Sequence, residues 1–283
     1  MVACPMAGAI EVERVSIELT QRCKKACWFC YSESHPKGGI EFRPKEVTAF
    51  VRDLAAHGVR AVSFGGGEPL EYEGIFGVLH ELRGILFRSL TTNGLPLRDD
   101  RVVAALARAA PDKVHLSIHF PERESEVRRV IAQVATLKAH GIRSGINLLV
   151  ARSNLAAARD AVVRLDAAGI GPDRRVLLPM RGQDTPRGAD VAQVAGGDPF
   201  QSMTCLMACG KSPRFCAVAW DKTVAWCSYT RERRRLESLT HAALLTALAD
   251  LGVTFCGGID DGDNPNRGGL SGCAQHGRDL VRG

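Results

Sequence analysis

The chain has 283 residues, 45% hydrophobic and 24% charged, which is the composition of an ordinary globular protein and excludes collagen-like and highly charged disordered classes. No apolar run reaches the roughly 20 residues a membrane span needs. The start, MVACPMAGAIEVE, carries neither a basic segment nor a long apolar one, so no secretory signal is read and a cytoplasmic location is expected. The net charge of +6 comes from 37 basic residues scattered along the chain, and a dispersed excess argues against a nucleic-acid partner. The one dense run, RERRR at 231–235, is expected to be a solvated helix start.

Strand and helix patterns alternate along the chain. Residues 12–20, VERVSIELT, alternate apolar and polar side chains as a half-buried strand does. Residues 43–58 then place Val47, Phe50, Val51 and Leu54 at helical spacing, with Gly58 as the stop. VRAVSFGGG is the second strand and GIFGVLHELRG a short helix; LFRSLTTNG is the third strand, with a helix around Val102, Val103 and Leu106. DKVHLSIHF is strand four, followed by a helix bearing Val127, Val130, Ile131, Val134 and Leu137. IRSGINLLV is strand five, with a helix from Ser153, its expected N-cap, through Leu165; RRVLLPM is strand six. This alternation means parallel strands covered by helices. Six units fall two short of a closed eight-stranded barrel. The expected fold is α/β, a partial (β/α)6 barrel of the TIM type over 10–181. Residues 182–283 are expected to form a linker and a small cysteine-rich region.

Ten cysteines without a signal peptide point to metal ligation or redox chemistry rather than disulfides. Cys23, Cys27 and Cys30 follow strand one with the spacing C-x3-C-x2-C. A structural zinc site closes with four ligands, so zinc would have to enlist His35, which Pro36 follows at once. Three thiolates suit a [4Fe–4S] cluster with one iron left open. Other unusual residues also sit at strand ends, where parallel barrels build their active sites. Gly66, Gly67 and Glu68 follow strand two, Asn93 ends strand three, Ser117 and His119 close strand four, and Asn147 and Val150 lie on strand five.

In this motif order, over roughly residues 12–181, the chain resembles the radical S-adenosylmethionine (SAM) superfamily. The resemblance implies that the methionine end of SAM chelates the open iron, and that reductive cleavage gives a 5′-deoxyadenosyl radical able to take hydrogen from a substrate C–H. It also implies a one-electron reductant such as flavodoxin or ferredoxin. By position, Gly66, Gly67 and Glu68 match the stretch that receives the methionine ammonium, with Asn93 alongside. Arg129, twelve residues after Ser117, matches the arginine facing the methionine carboxylate. Ser117 matches the ribose contact, Asn147 a ribose or carboxylate contact and Val150 the adenine contact. Phe29 takes the aromatic place before the last cysteine, and His119 is a candidate for substrate contact.

Downstream, FCAVAWDKTVAWC patterns as a hairpin turning near Asp221 and Lys222, among Cys205, Cys209, Cys216 and Cys227. Many members of the superfamily end in a hairpin with cysteines holding an auxiliary [4Fe–4S] cluster, and these four are its expected ligands, although six C-terminal cysteines are available for four places. Cys256 is the expected hydrogen-atom donor, with Cys273 as the other free thiol. Asp260, Asp261 and Asp263 beside Cys256 would attract an amine-bearing substrate. The expected activity is epimerisation of a small molecule of the amino-sugar kind, as in aminoglycoside radical SAM epimerases. Maturation or dehydrogenation of a peptide is the alternative, and a non-catalytic iron–sulfur or zinc protein the distant one.

Overall fold

A computed structural model describes residues 11–197, 201–202, 212 and 214–254. Its first strand, β1 (Arg14–Glu18), turns Val15 and Ile17 into the apolar core and leaves Ser16 and Glu18 on the opposite face. Helix α1 (Pro44–Ala56) follows, starting on a proline that fits the first helical turn and burying Val47, Phe50, Val51 and Leu54. Then come β2 (Ala61–Gly65), α2 (Ile75–Glu81), β3 (Phe87–Thr92), α3 (Asp100–Ala109) and β4 (Lys113–Ile118). Helix α4 (Glu124–Ala139), β5 (Ser144–Val150), α5 (Leu155–Ala167) and β6 (Arg175–Pro179) complete the six expected units.

Strands β1 to β6 pair in sequence order and in parallel, with Glu18 opposite Gly65, Ser117 opposite Asn147 and Val150 opposite Pro179. The helix-side residues of these strands are buried and mostly apolar, with Arg88, Thr92, Ser144 and Arg175 as polar exceptions. The other face carries Ser16, Glu18, Ser63, Ser89, Thr91, His115, Ser117 and Asn147, a polar surface suited to a ligand chamber. This is the partial α/β barrel expected from the alternation.

Three local expectations need correction. Ser153 does not cap α5; it lies in a 3-10 turn, Arg152–Asn154, and its Oγ donates to Asp184 Oδ2 at 2.6 Å, while Asn154 occupies the N-cap position. The stretch after residue 181 is not wholly a loop. Arg187 precedes helix α6 (Gly188–Val194), which buries Asp190, Val191 and Val194, and β7 (Gln201–Ser202) pairs in parallel with β6. RERRR starts no helix: Arg234 and Arg235 form β10 (Arg234–Arg235), and the helix begins later, as α7 (His241–Leu248), with Thr240 capping it through Ala243 N.

The expected hairpin is present, as β8 (Phe215–Val218) and β9 (Thr223–Ala225) around Asp221 and Lys222, and β10 extends it. It joins the barrel sheet directly, because β8 pairs in parallel with β1 from Arg14 to Ile17, giving the order β10-β9-β8-β1-β2-β3-β4-β5-β6-β7. No helix among the described residues is long and apolar enough to cross a membrane.

Candidate active site at the strand ends

The segment after β1 folds back on itself before it reaches α1. Cys23 N donates to His35 O at 3.1 Å and His35 N to Gln21 O at 3.0 Å, so the cysteine loop is closed at its base by backbone bonds. Cys23 is buried, and Cys27 and Cys30 are half-buried. Burial pushes the Cys27 thiol up to about 11, Lys25 opposes that rise, and Cys23 and Cys30 add to it. Among the described residues, however, no three His, Cys, Asp or Glu side chains are gathered tightly enough to hold a metal ion.

Two hydrogen-bond chains tie this loop to the next strand ends. In one, Cys30 Sγ meets Ser32 Oγ at 3.5 Å, Ser32 meets Ser34 at 2.7 Å, and Gly67 N donates to Ser34 Oγ at 3.0 Å. In the other, Asn93 Nδ2 donates to Cys23 Sγ at 3.6 Å while Asn93 N donates to Glu68 Oε2 at 2.8 Å. Gly66 and Gly67 both have positive φ, +65° and +61°. A Cβ on Gly66 would overlap the Glu18 side chain, and one on Gly67 the carbonyls of Thr20 and Arg22. Glycine is therefore required twice here, by conformation and by close approach.

Glu68 is fully buried and takes three hydrogen bonds, from Thr92 Oγ1 at 2.6 Å, Asn93 N at 2.8 Å and Leu70 N at 3.0 Å. Burial raises its carboxyl to about 7 against the pull of these donors. Its oxygens thus fasten the end of β3 to the loop after β2.

On the opposite side, Lys25 reaches inward from the cysteine loop. Its Nζ lies 2.8 Å from Glu126 Oε1 and donates to His119 Nδ1 at 3.0 Å. Burial lowers His119 to about 3, so the ring is neutral and Nδ1 is free to accept. Phe29 packs in the same group, its ring 6.0 Å from that of His119 and 5.5 Å from that of Phe120. Arg129 donates to Gln133 at 2.9 Å and lines, with Lys25, Phe120 and Glu126, a cavity of about 630 Å³. Ser117 and Asn147 are register neighbours, and His115 Nδ1 donates to Asn147 Oδ1 at 3.2 Å. Val150 is buried at the end of β5, its carbonyl accepting from Met180 N at 2.7 Å.

Two expected cluster ligands are placed very differently. Cys216 sits in the apolar core on β8, opposite Val15, with burial pushing its thiol far up. Cys227 is half-buried, and Tyr229 N donates to its sulfur at 3.4 Å. Cys205, Cys209, Cys256, Cys273, Asp260, Asp261 and Asp263 lie outside the described residues.

Sequence reasoning missed Glu18. It is 3% exposed on the inner face of β1, makes no side-chain hydrogen bond among the described residues, and is raised to about 7 by burial despite Arg233. Arg233, from the RERRR run, buries its Nη2 there without a hydrogen-bond partner among the described residues. Alternation alone marks a lone strand glutamate as solvent-facing, which hid it.

The described residues thus form a partial barrel with three cysteines on the loop after its first strand, at the end where such barrels build their sites. Residues 17–151 match the Radical SAM superfamily. It is 35% identical over 114 residues to a probable GTP 3′,8-cyclase of Methanopyrus kandleri, a stretch covering 40% of this chain and 36% of that one. It is 34% identical over 116 residues to the GTP 3′,8-cyclase of Chlorobaculum tepidum, covering 40% and 34%. The matched stretch thus spans little more than a third of these relatives. In fold, Streptococcus suis SuiB bound to the precursor peptide SuiA superposes with a TM-score of 0.67 at 16% identity, covering 83% of this chain and 64% of that one. Native anSMEcpe with bound AdoMet and a peptide gives 0.62 at 15% identity, covering 82% and 79%. The superfamily takes SAM and a [4Fe–4S] cluster, and the donor set fits them. Three cysteine thiols on one loop are the donor type that iron prefers, and an amide N–H from Asn93 is directed at one of the sulfurs.

Proposed function

We propose that this protein is a radical SAM enzyme that removes a hydrogen atom from a substrate C–H. The observation that carries the reading is the linkage of the three-thiol loop, through Ser32, Ser34 and Asn93, to Gly67 and Glu68 on the adjoining strand ends. When bound, the cluster and SAM supply the electron and the hydrogen-abstracting group. The chain's own residues position them. Cys23, Cys27 and Cys30 hold iron, and the tight turn at Gly66 and Gly67 brings backbone beside it. Arg129, Ser117, Asn147 and Val150 are the proposed contacts to the carboxylate, ribose and adenine of SAM. Glu68 acts by fixing Asn93, since its oxygens are already engaged. Phe29 is proposed to back the loop.

For the reaction we propose epimerisation of an amine-bearing small molecule of the amino-sugar kind, with Cys256 returning the hydrogen. Glu18 supports an amine: a buried carboxyl on the chamber face, without a hydrogen bond among the described residues, suits an ammonium group. Asp260, Asp261 and Asp263 are further proposed contacts; His119 is engaged by Lys25 and drops out. An auxiliary cluster on Cys227, Cys205 and Cys209, and electron delivery by a flavodoxin or ferredoxin, belong to the same proposal. The relatives named GTP 3′,8-cyclase support a second reading, a net rearrangement of a nucleotide-like substrate without a thiol donor.

Anaerobically reconstituted protein, given dithionite and SAM, is expected to release 5′-deoxyadenosine, and the Cys23→Ala/Cys27→Ala/Cys30→Ala variant to release none. Equal release from both would overturn the enzyme reading. In deuterated water with substrate, an epimerase incorporates one deuterium and Cys256→Ala stops turnover. Normal turnover by Cys256→Ala excludes the epimerase.

A further inference from the structure

Lys25 lies between the first two thiols of the cysteine loop, yet its side chain is only 7% exposed. Burying an ammonium is costly unless it is paired and hydrogen-bonded. The pairing here is specific. Glu126, at 9% exposure, gives Oε1 to Lys25 at 2.8 Å, and the same oxygen accepts from His119 N at 2.7 Å, so backbone fixes the counter-ion. His119 Nδ1 accepts a second Lys25 N–H at 3.0 Å, and the ring of Phe120 lies 5.4 Å from Nζ. A lysine tail of this length could have lain along the surface like Lys24. Instead it is held in place, within electrostatic reach of the Cys27 thiol.

We propose that Lys25 sets the reduction potential of the cluster held by Cys23, Cys27 and Cys30, and that Glu126 limits how far. A cation beside an iron–sulfur cluster stabilises its reduced, more negative state and raises the potential. Glu126 offsets part of that charge, while neutral His119 fixes the position of Lys25 without adding charge. Arg129 also feels the charge of Glu126, and both line the same cavity.

The inference rests on the cluster-binding reading, and the two fail differently. Absence of iron and sulfide after anaerobic reconstitution of the full chain defeats the reading. An unshifted potential in loaded protein defeats the inference alone. The measurement is an EPR-monitored redox titration of wild type, Lys25→Met, Lys25→Arg and Glu126→Gln, without SAM. Lys25→Met is expected to make reduction about tenfold less favourable, a fall of about 59 mV for one electron. Glu126→Gln is expected to move it the opposite way by a similar factor, and Lys25→Arg to stay near wild type. A lysine that only braces the loop would shift Lys25→Met and Glu126→Gln in the same direction, or neither, and that overturns the proposal. If Lys25→Met takes up no iron, Glu126→Gln decides alone: a potential that is unchanged or lower refutes it.

Discussion

Burial raises both Glu18 and Glu68 to about 7, but the two carboxyls stand in different situations. Glu68 has three donors, and Glu18 has none among the described residues, with Arg233, Asp221 and Tyr31 acting on it through space. The consequence for Glu18 is a pH dependence of stability. Its folded value lies above the unfolded value of 4.5, so between about pH 4.5 and about pH 7 the folded chain keeps a proton that the unfolded chain has released. Stability therefore falls as pH rises through that window, by up to about 3 kcal/mol, and below it the penalty is absent. Glu18→Gln removes the penalty. In urea unfolding, the variant is expected to match wild type near pH 4.5 and exceed it by about 3 kcal/mol at pH 8; an equal margin at both values would mean that Glu18 is solvated. At this scale the sequence was legible where spacing carried the signal, as with Cys23, Cys27, Cys30, Gly66 and Gly67. Glu18 and Lys25 were hidden because each lies alone in its pattern, and only the folded chain shows what surrounds it.

At the scale of elements, the turn after β2 separates two effects of glycine. Gly67 and Gly84 share a positive φ, +61° and +75°. A Cβ at Gly84 meets nothing within 4 Å, whereas at Gly67 it runs into the backbone carbonyls of Thr20 and Arg22. Gly84→Ala is expected to cost only the left-handed strain, about 1 kcal/mol. Gly67→Ala must also push the cysteine loop away and is expected to cost about 3 kcal/mol and to lower iron uptake. Urea unfolding and iron counts on the two variants check this, and equal costs would mean that the loop yields freely. Helix faces such as Val47, Phe50, Val51 and Leu54 were legible because periodicity carries burial. Boundaries were less so: Ser153 looked like a cap because its hydroxyl partner, Asp184, lies 31 residues away.

For the whole molecule, the decisive contact is β8 on β1, which makes the first barrel strand an interior strand rather than an edge. The C-terminal segment adds Cys216, Val218, Val224, Leu244 and Leu248 to the same apolar core as Val15 and Ile17. It also holds the site from behind: Trp220 Nε1 donates to Ser32 O at 2.8 Å, and Ser32 is the residue that bonds Cys30. On the outer layer, Lys222 pairs with Glu46 at 3.3 Å, and His241 N donates to Asp53 Oδ2 at 2.6 Å, both on α1. A chain ending at Gly197 would therefore bare the backbone groups of Arg14–Ile17 along an unprotected edge and open the core beneath it. Domains hold only about 5–15 kcal/mol of net stability, and losing five buried apolar residues at roughly 1.5–3 kcal/mol each is enough to exhaust it. The truncated chain is expected to aggregate on gel filtration and to lack a cooperative unfolding transition. A monomeric, cooperatively folding 1–197 would show instead that the six-unit barrel stands without its C-terminal hairpin.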